Sequence, residues 1–232
     1  MTNKWLKVAL MVTAIATGTS INIDAETVLY VPQDDRPVSL QYTVDTAREA
    51  GMTVLTPPQH LISGKTYQGQ ADQIMAWVEQ NAGRADVMVL STDTLIYGGL
   101  VDSRKHNIPL STLQNRLKRI EGLKARNKNV RIYGFGTVMR SPRASGGGTE
   151  PAYYAEYGPT IFQIAALQDK LDAGTLTQAE TQKLMSLQAS VPIEYLQDWF
   201  SRRQKNMQVN KDLIDEARNG VFAYFALGHD DT

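Results

Sequence analysis

Five short apolar runs recur along the chain, and the stretches between them carry helical spacing. The runs are T-V-L-Y-V-P (27–32), M-T-V-L-T-P-P (52–58), A-D-V-M-V-L-S-T-D (85–93), N-V-R-I-Y-G-F-G-T-V-M-R (129–140) and V-F-A-Y-F-A-L-G-H-D-D-T (221–232). The third is apolar almost throughout, as expected of a strand covered on both faces. Between the first two, Ser39 is placed to cap a helix that stops at Gly51. A second helix follows the loop S-G-K-T-Y-Q-G-Q and places Ile74, Trp77 and Val78 on one side. A third places Leu113, Leu117, Ile120 and Leu123 on one side. Strand alternating with helix predicts an α/β fold whose sheet is mainly parallel, with right-handed crossovers. A doubly wound sheet and a partial (β/α) barrel both satisfy the pattern. Residues from about 160 to 219 form a long helical insert before the last strand, broken near A-G-T-L-T and S-V-P. It would either cap the sheet edge or pack on one face.

The N-terminus M-T-N-K-W-L-K is basic and leads into V-A-L-M-V-T-A-I-A, an apolar run too short for a comfortable membrane span. This layout predicts a signal peptide over residues 1–25, cleaved after Ala25, although Ile23 stands where a smaller residue is usual. The expectation is an exported bacterial protein, periplasmic or extracellular, with one α/β domain over 26–232. An ordinary N-terminal helix or an uncleaved anchor is the alternative. The sequence stops directly after an apolar strand, where a further crossover helix is expected, so it reads as truncated at its C-terminus.

Charge narrows the function classes. Lys plus Arg and Asp plus Glu are equal at 24 each, and no basic patch is interleaved with aromatics, so no nucleic-acid partner is expected. The chain has no cysteine, which excludes disulfides, thiolate metal sites and a Cys nucleophile. It contains no P-loop, no G-x-S-x-G elbow and no H-x-x-x-H spacing. G-F-G-T-V-M lies inside a strand and lacks a third glycine, so it is not read as a dinucleotide site. No cofactor is evident, and a divalent metal stays open.

In parallel α/β folds, ligands bind beyond the carboxyl ends of the strands. The unusual polar residues fall there. The first strand ends in Asp34, Asp35 and Arg36, and Arg36 would hold one acid ionised while a desolvated partner is pushed toward protonation. An Asx-turn pinned by Arg36 is the structural alternative. The third strand ends in Asp93 and continues into I-Y-G-G-L-V-D-S-R. There Gly98 and Gly99 would permit close approach to a ligand. Tyr97 could stack on a sugar, and Ser103 and Arg104 could bind a hydroxylated or anionic group. The fourth strand ends in Arg140, the fifth in His229, Asp230 and Asp231. Asp34, Asp35, Asp93, Asp230 and Asp231 are thus the catalytic candidates. Arg36, Tyr97, Gly98, Gly99, Ser103, Arg104, Arg140 and His229 are the binding candidates. His60 and His106 are expected at the surface. Tyr153, Tyr154 and Tyr157, beyond G-G-G, suit either a lid over a carbohydrate or a plain loop.

Q-D-D-R-P-V-S-L-Q, S-T-D-T-L-I-Y-G-G-L-V-D-S-R, T-V-M-R and G-H-D-D resemble, in this order, the signature blocks of the bacterial domain-of-unknown-function family 4127. The resemblance runs from Val31 to the end. Ser39 stands where the family usually has Asn. Members are typically much longer, which also implies truncation. The resemblance implies no established reaction, but it implies that Asp34, Asp35, Arg36, Asp93, Tyr97, Gly98, Gly99, Ser103, Arg104, Arg140, Asp230 and Asp231 belong together. Export, the strand-end carboxylates, the glycines and arginines and the tyrosine-rich loop, with no cofactor fingerprint, lead to the expectation of a hydrolase acting on a carbohydrate or cell-wall glycan. Asp35 or Asp93 would be its acid, the other its base or nucleophile, with Arg36, Arg104 and Arg140 orienting a small-molecule or glycan substrate. One alternative is a metal-dependent hydrolase using Asp34, Asp93, Asp230 and His229. Others are a non-catalytic sugar or anion binder, and an inactive fragment.

Overall fold

The computed structural model describes residues 25–144 and 147–230. Nearly all of the segment expected to be a signal peptide, and Asp231, lie outside the described residues.

Strands β1 (Thr27–Val31), β2 (Thr53–Leu55), β3 (Val87–Ser91), β4 (Arg131–Val138) and β5 (Tyr224–His229) form one sheet in the order β2-β1-β3-β4-β5. Every pairing is parallel. In a barrel β2 would separate β1 from β3. Here β1 pairs with both, so the sheet is of the doubly wound type and the barrel alternative falls away. The helices are α1 (Gln41–Glu49), α2 (Ala71–Asn81), α3 (Thr92–Tyr97), α4 (Leu100–Lys105), α5 (Leu110–Arg126), α6 (Tyr154–Asp172), α7 (Gln178–Ala189) and α8 (Ile193–Arg218).

The chain steps outward from β1 to β2, then crosses back to β3 and continues the other way. With right-handed crossovers this puts α1 on one face and α2, α5 and α8 on the other. The core agrees. Leu29, Val31, Met88, Leu90 and Ile132 share one face by register and pack against Ile74, Met75 and Val78 of α2. Leu113, Leu117, Ile120 and Leu123 of α5, with Val209 and Leu213 of α8, complete this cluster. Each such side chain contributes about 1.5–3 kcal/mol on burial. Gly134 faces this core because a Cβ there would stand 2.6 Å from the Phe222 ring.

The helical insert has a core of its own. Tyr154, Ile161, Ile164 and Leu167 of α6, Leu184 of α7, and Leu196 and Trp199 of α8 pack around Met139 at the end of β4. Helix α8 therefore serves both clusters, its first half in the insert and its second half on the sheet. The break before α7 has local causes. Gly174 adopts φ 68°, a left-handed value that favours glycine, and Thr177 and Glu180 form a reciprocal capping box.

Two local expectations are corrected. Helix α1 starts at Gln41 with Leu40 as its N-cap, and the Ser39 carbonyl instead accepts the Tyr30 hydroxyl. The third strand stops at Ser91, whose hydroxyl caps α3 by accepting the Thr94 N–H at 3.3 Å. The stretch that follows, to which the sequence reading assigns no element, is the pair of six-residue helices α3 and α4. Elements that short show too little periodicity to be recognised.

Candidate functional site

The order of the strands reverses between β1 and β3, and the crevice beyond their carboxyl ends is where ligands bind in open α/β sheets. A cleft of ≈ 530 Å³ occupies this end of the sheet. Gln33, Asp34 and Arg36 after β1, Thr137 and Arg140 at the end of β4, and His229 and Asp230 at the end of β5 line it. Lys65, Arg104 and Thr149 complete its wall.

The D-D-R-P turn divides its two acids. Asp34 is buried, and its carboxylate accepts Nε and Nη2 of Arg36 at 2.8 and 2.7 Å and the Arg36 N–H at 3.2 Å. Asp35 is half-buried. Its N–H donates to Ser63 O at 2.9 Å, and its carboxylate accepts the Tyr67 hydroxyl.

Asp93 sits in the first turn of α3, only 2% exposed, behind the cleft lining. Its Oδ2 accepts Gln33 Nε2 at 3.0 Å and Thr137 Oγ1 at 2.9 Å, so one carboxyl ties the ends of β1 and β4. Burial pushes its pKa up to about 6, against the pull of those hydrogen bonds, with the nearby Asp230 charge adding a smaller push. Two neighbours shape this corner. Thr94 Oγ1 donates to Pro32 O at 2.6 Å, and Gly136 leaves room for Thr92, whose Oγ1 would meet a Cβ there at 2.3 Å.

At the far wall, Arg104 Nε and Nη2 each donate to Asp230 at 2.8 Å, a fork-to-fork pair. Arg140 donates through Nε and Nη2 to Glu150 Oε1 at 3.1 and 2.6 Å. Glu150 has no exposed side-chain surface, and its Oε1 also lies 3.8 Å from Arg104 Nη1. Arginines and carboxylates thus alternate from β5 through α4 to the glycine-rich loop. His229 Nδ1 lies 2.7 Å from the Asp230 carbonyl oxygen. A carbonyl only accepts, so the neutral ring carries its proton on Nδ1 and leaves Nε2 as the basic nitrogen on an exposed residue.

Several binding candidates do other work. Tyr97 is buried and stacks on His106 with ring centroids 5.0 Å apart, so it is not available to a sugar. Its hydroxyl has no partner among the described residues, and burial raises its pKa. Gly98 adopts φ 111°, and its backbone packs on Gly69, while a Cβ on Gly99 would meet Ser63 Oγ at 1.8 Å. The close approach is to the 63–69 loop and not to a ligand. Ser103 is buried and donates to Leu100 O at 2.7 Å. His106, expected at the surface, is buried: Nε2–H donates to Asn206 Oδ1 at 2.8 Å, and Nδ1 accepts the Ile108 N–H at 3.2 Å. Burial lowers its pKa to about 4. His60 is exposed, as expected. The tyrosines beyond G-G-G form no lid. Tyr154 packs on Trp199 at 4.3 Å and donates to Pro142 O, and Tyr153 stacks on Tyr195 at 4.6 Å.

Asp34, Asp93, Asp230 and His229 each have a separate partner. Among the described residues no group of three or more His, Asp or Glu side chains is arranged to hold a metal. No helix among them is long and apolar enough to cross a membrane.

A family model described as "Protein of unknown function (DUF4127)" matches residues 28–232. The chain belongs to the DUF4127 family. No curated protein and no solved structure matches it. In this DUF4127 chain, Gln33, Lys65, Thr137 and Thr149 line the candidate cleft and Glu150 braces its wall, and inspection of the sequence misses all five. Glu150 alone left a trace, as an acid between a glycine run and Pro151.

Proposed function

We propose that this is an exported hydrolase acting on a carbohydrate or cell-wall glycan, with Asp93 as its proton source. The observation that carries the reading is a buried carboxyl with a pKa of about 6 at the switch point of the sheet, next to a cleft whose own carboxylate, Asp34, is ion-paired. Two acids in opposed environments suit acid–base work. Asp93 reaches the cleft through Thr137. The protonated carboxyl passes its proton to Thr137 Oγ1 while the Thr137 hydroxyl proton passes to the leaving oxygen. Asp34 takes a proton from water, which attacks the anomeric carbon as the glycosidic bond breaks. Arg36, Arg104 and Arg140 orient the substrate. The basic, lysine-bearing N-terminus followed by a short apolar run supports export. N-terminal sequencing of the secreted product should then begin at Glu26.

The deciding assay runs the natural gene product on glycan panels beside Asp93→Asn and Thr137→Val. Both variants should lose most turnover, Thr137→Ser should restore part of it, and activity should fall as pH rises through about 6. Full activity of Asp93→Asn on a substrate that the parent cleaves would sink the assignment. A second reading, a non-catalytic sugar or anion binder, draws support from Asp34, Glu150 and Asp230, all held in ion pairs. It predicts ligand-induced thermal shifts without turnover.

A further inference from the structure

The cations lining the sheet-end cleft are not equivalent. Arg104 and Arg140 lie deep, with side chains 5% and 11% exposed, and each is clamped by a buried carboxylate, Asp230 and Glu150. Arg36 stands at the lip, 54% exposed, in its pair with Asp34. Lys65 stands at the same lip, exposed, on the loop that follows Ser63. Among the described residues its ammonium makes no hydrogen bond or ion pair. Among these residues three of the four permanent charges are therefore matched by a carboxylate, and one is not. Below the lip, Gln33, Thr137 and Thr149 supply hydrogen-bonding groups beside the apolar side chains of Leu100 and Val101.

A walled cleft with an unmatched ammonium at its mouth concentrates anions there, beside the exposed edge of the Arg36–Asp34 pair. The polar lining beneath it suits hydroxyl groups. The geometry points to an acidic sugar as the substrate unit, its carboxylate or phosphate at Lys65 and Arg36 and its hydroxyls toward Gln33, Thr137 and Thr149. This rests on reading the cleft as a glycan site and adds the charge that the glycan must carry.

The test is calorimetric titration of the purified chain with galacturonic acid, glucose 6-phosphate, glucose and inorganic phosphate, at low salt and in about 0.5 M NaCl. At least one acidic sugar binds and glucose does not, and the salt weakens binding. Whether the carboxylate or the phosphate sugar binds tells the two oxyanions apart. Lys65→Gln weakens the acidic sugar by about tenfold, the scale of one charged hydrogen bond. Lys65→Arg retains most of the affinity, and Lys183→Gln on α7 changes nothing. The inference is overturned if glucose binds as tightly as the acidic sugars, or if no acidic sugar binds. It is also overturned if Lys65→Gln has no effect, or if inorganic phosphate matches glucose 6-phosphate. Cleavage of a neutral glycan without affinity for acidic sugars overturns this inference and leaves the hydrolase reading intact. Binding of acidic sugars without turnover of any glycan does the reverse.

Discussion

Replacing Asp93 by Asn should make the protein more stable at neutral pH, and the gain should vanish in acid. The folded carboxyl titrates at about 6 against 3.8 for the ordinary group, mainly because it is buried. Between those values the folded chain still holds a proton that the unfolded chain has released. Stability therefore falls as pH rises from 3.8 through about 6, and above 6 the ionised carboxylate costs about 3 kcal/mol. Asn cannot ionise, and its Oδ1 can still accept from Gln33 or Thr137. Asp93→Asn should thus gain about 3 kcal/mol at pH 7 and nothing below about pH 3.8. In a chain of this size that corresponds to a rise in Tm of roughly 6–12 °C. Urea unfolding followed by tryptophan fluorescence between pH 3.5 and pH 8 reads it directly. A variant less stable than the parent at pH 7, or a difference that does not change with pH, refutes the reasoning. The same substitution should abolish turnover, the trade expected where a strained group serves function.

His106 carries the opposite slope. Its folded pKa of about 4 lies below the ordinary 6.5, so its contribution is fully present above 6.5 and is lost as pH falls through about 4, about 3 kcal/mol in all. The two slopes oppose each other between pH 4 and 6, so Asp93→Asn should unmask a stability that rises with pH across that window, and His106→Gln in that background should flatten it. Glu150→Gln removes the charge of the fully buried carboxylate that joins Arg140 and Arg104 and should cost about 3–5 kcal/mol in denaturant unfolding; a loss under 1 kcal/mol would mean that the pairing is dispensable. Gly99→Ala drives a Cβ into Ser63 Oγ and should cost about 1–3 kcal/mol by thermal melting, relieved when Ser63→Gly is added.

The sheet was legible in the sequence because each strand is a bounded apolar run, and the parallel pairing followed from the helices between them. Strand order was not legible, since the runs at 27–31 and 87–91 carry no mark of being neighbours. The placement of Asp34, Asp93, Arg140 and Asp230 at one rim followed from their positions at strand ends. The error lay in assigning each polar residue to a ligand. Ser103, Tyr97 and the Gly98–Gly99 pair are spent on packing α4 and the 63–69 loop, and that competition appears only in three dimensions. His106 looked superficial because its burial depends on Asn206 of α8, far along the chain. Glu150 was hidden for the same reason: its partners at 104 and 140 lie on other elements.

The Arg104–Asp230 fork joins positions 126 residues apart, at the two ends of the longest detour in the chain. Until β5 reaches the sheet, Arg104 lacks its bidentate partner and has only the more distant Glu150 carboxylate beside it. Arg140 and Glu150 can meet earlier, within the span of one loop. The wall of the cleft is therefore assembled from one local pair and one distant pair, and the distant pair waits for β5. A chain that has not yet placed β5 lacks both an edge strand of the described sheet and the carboxylate that clamps Arg104.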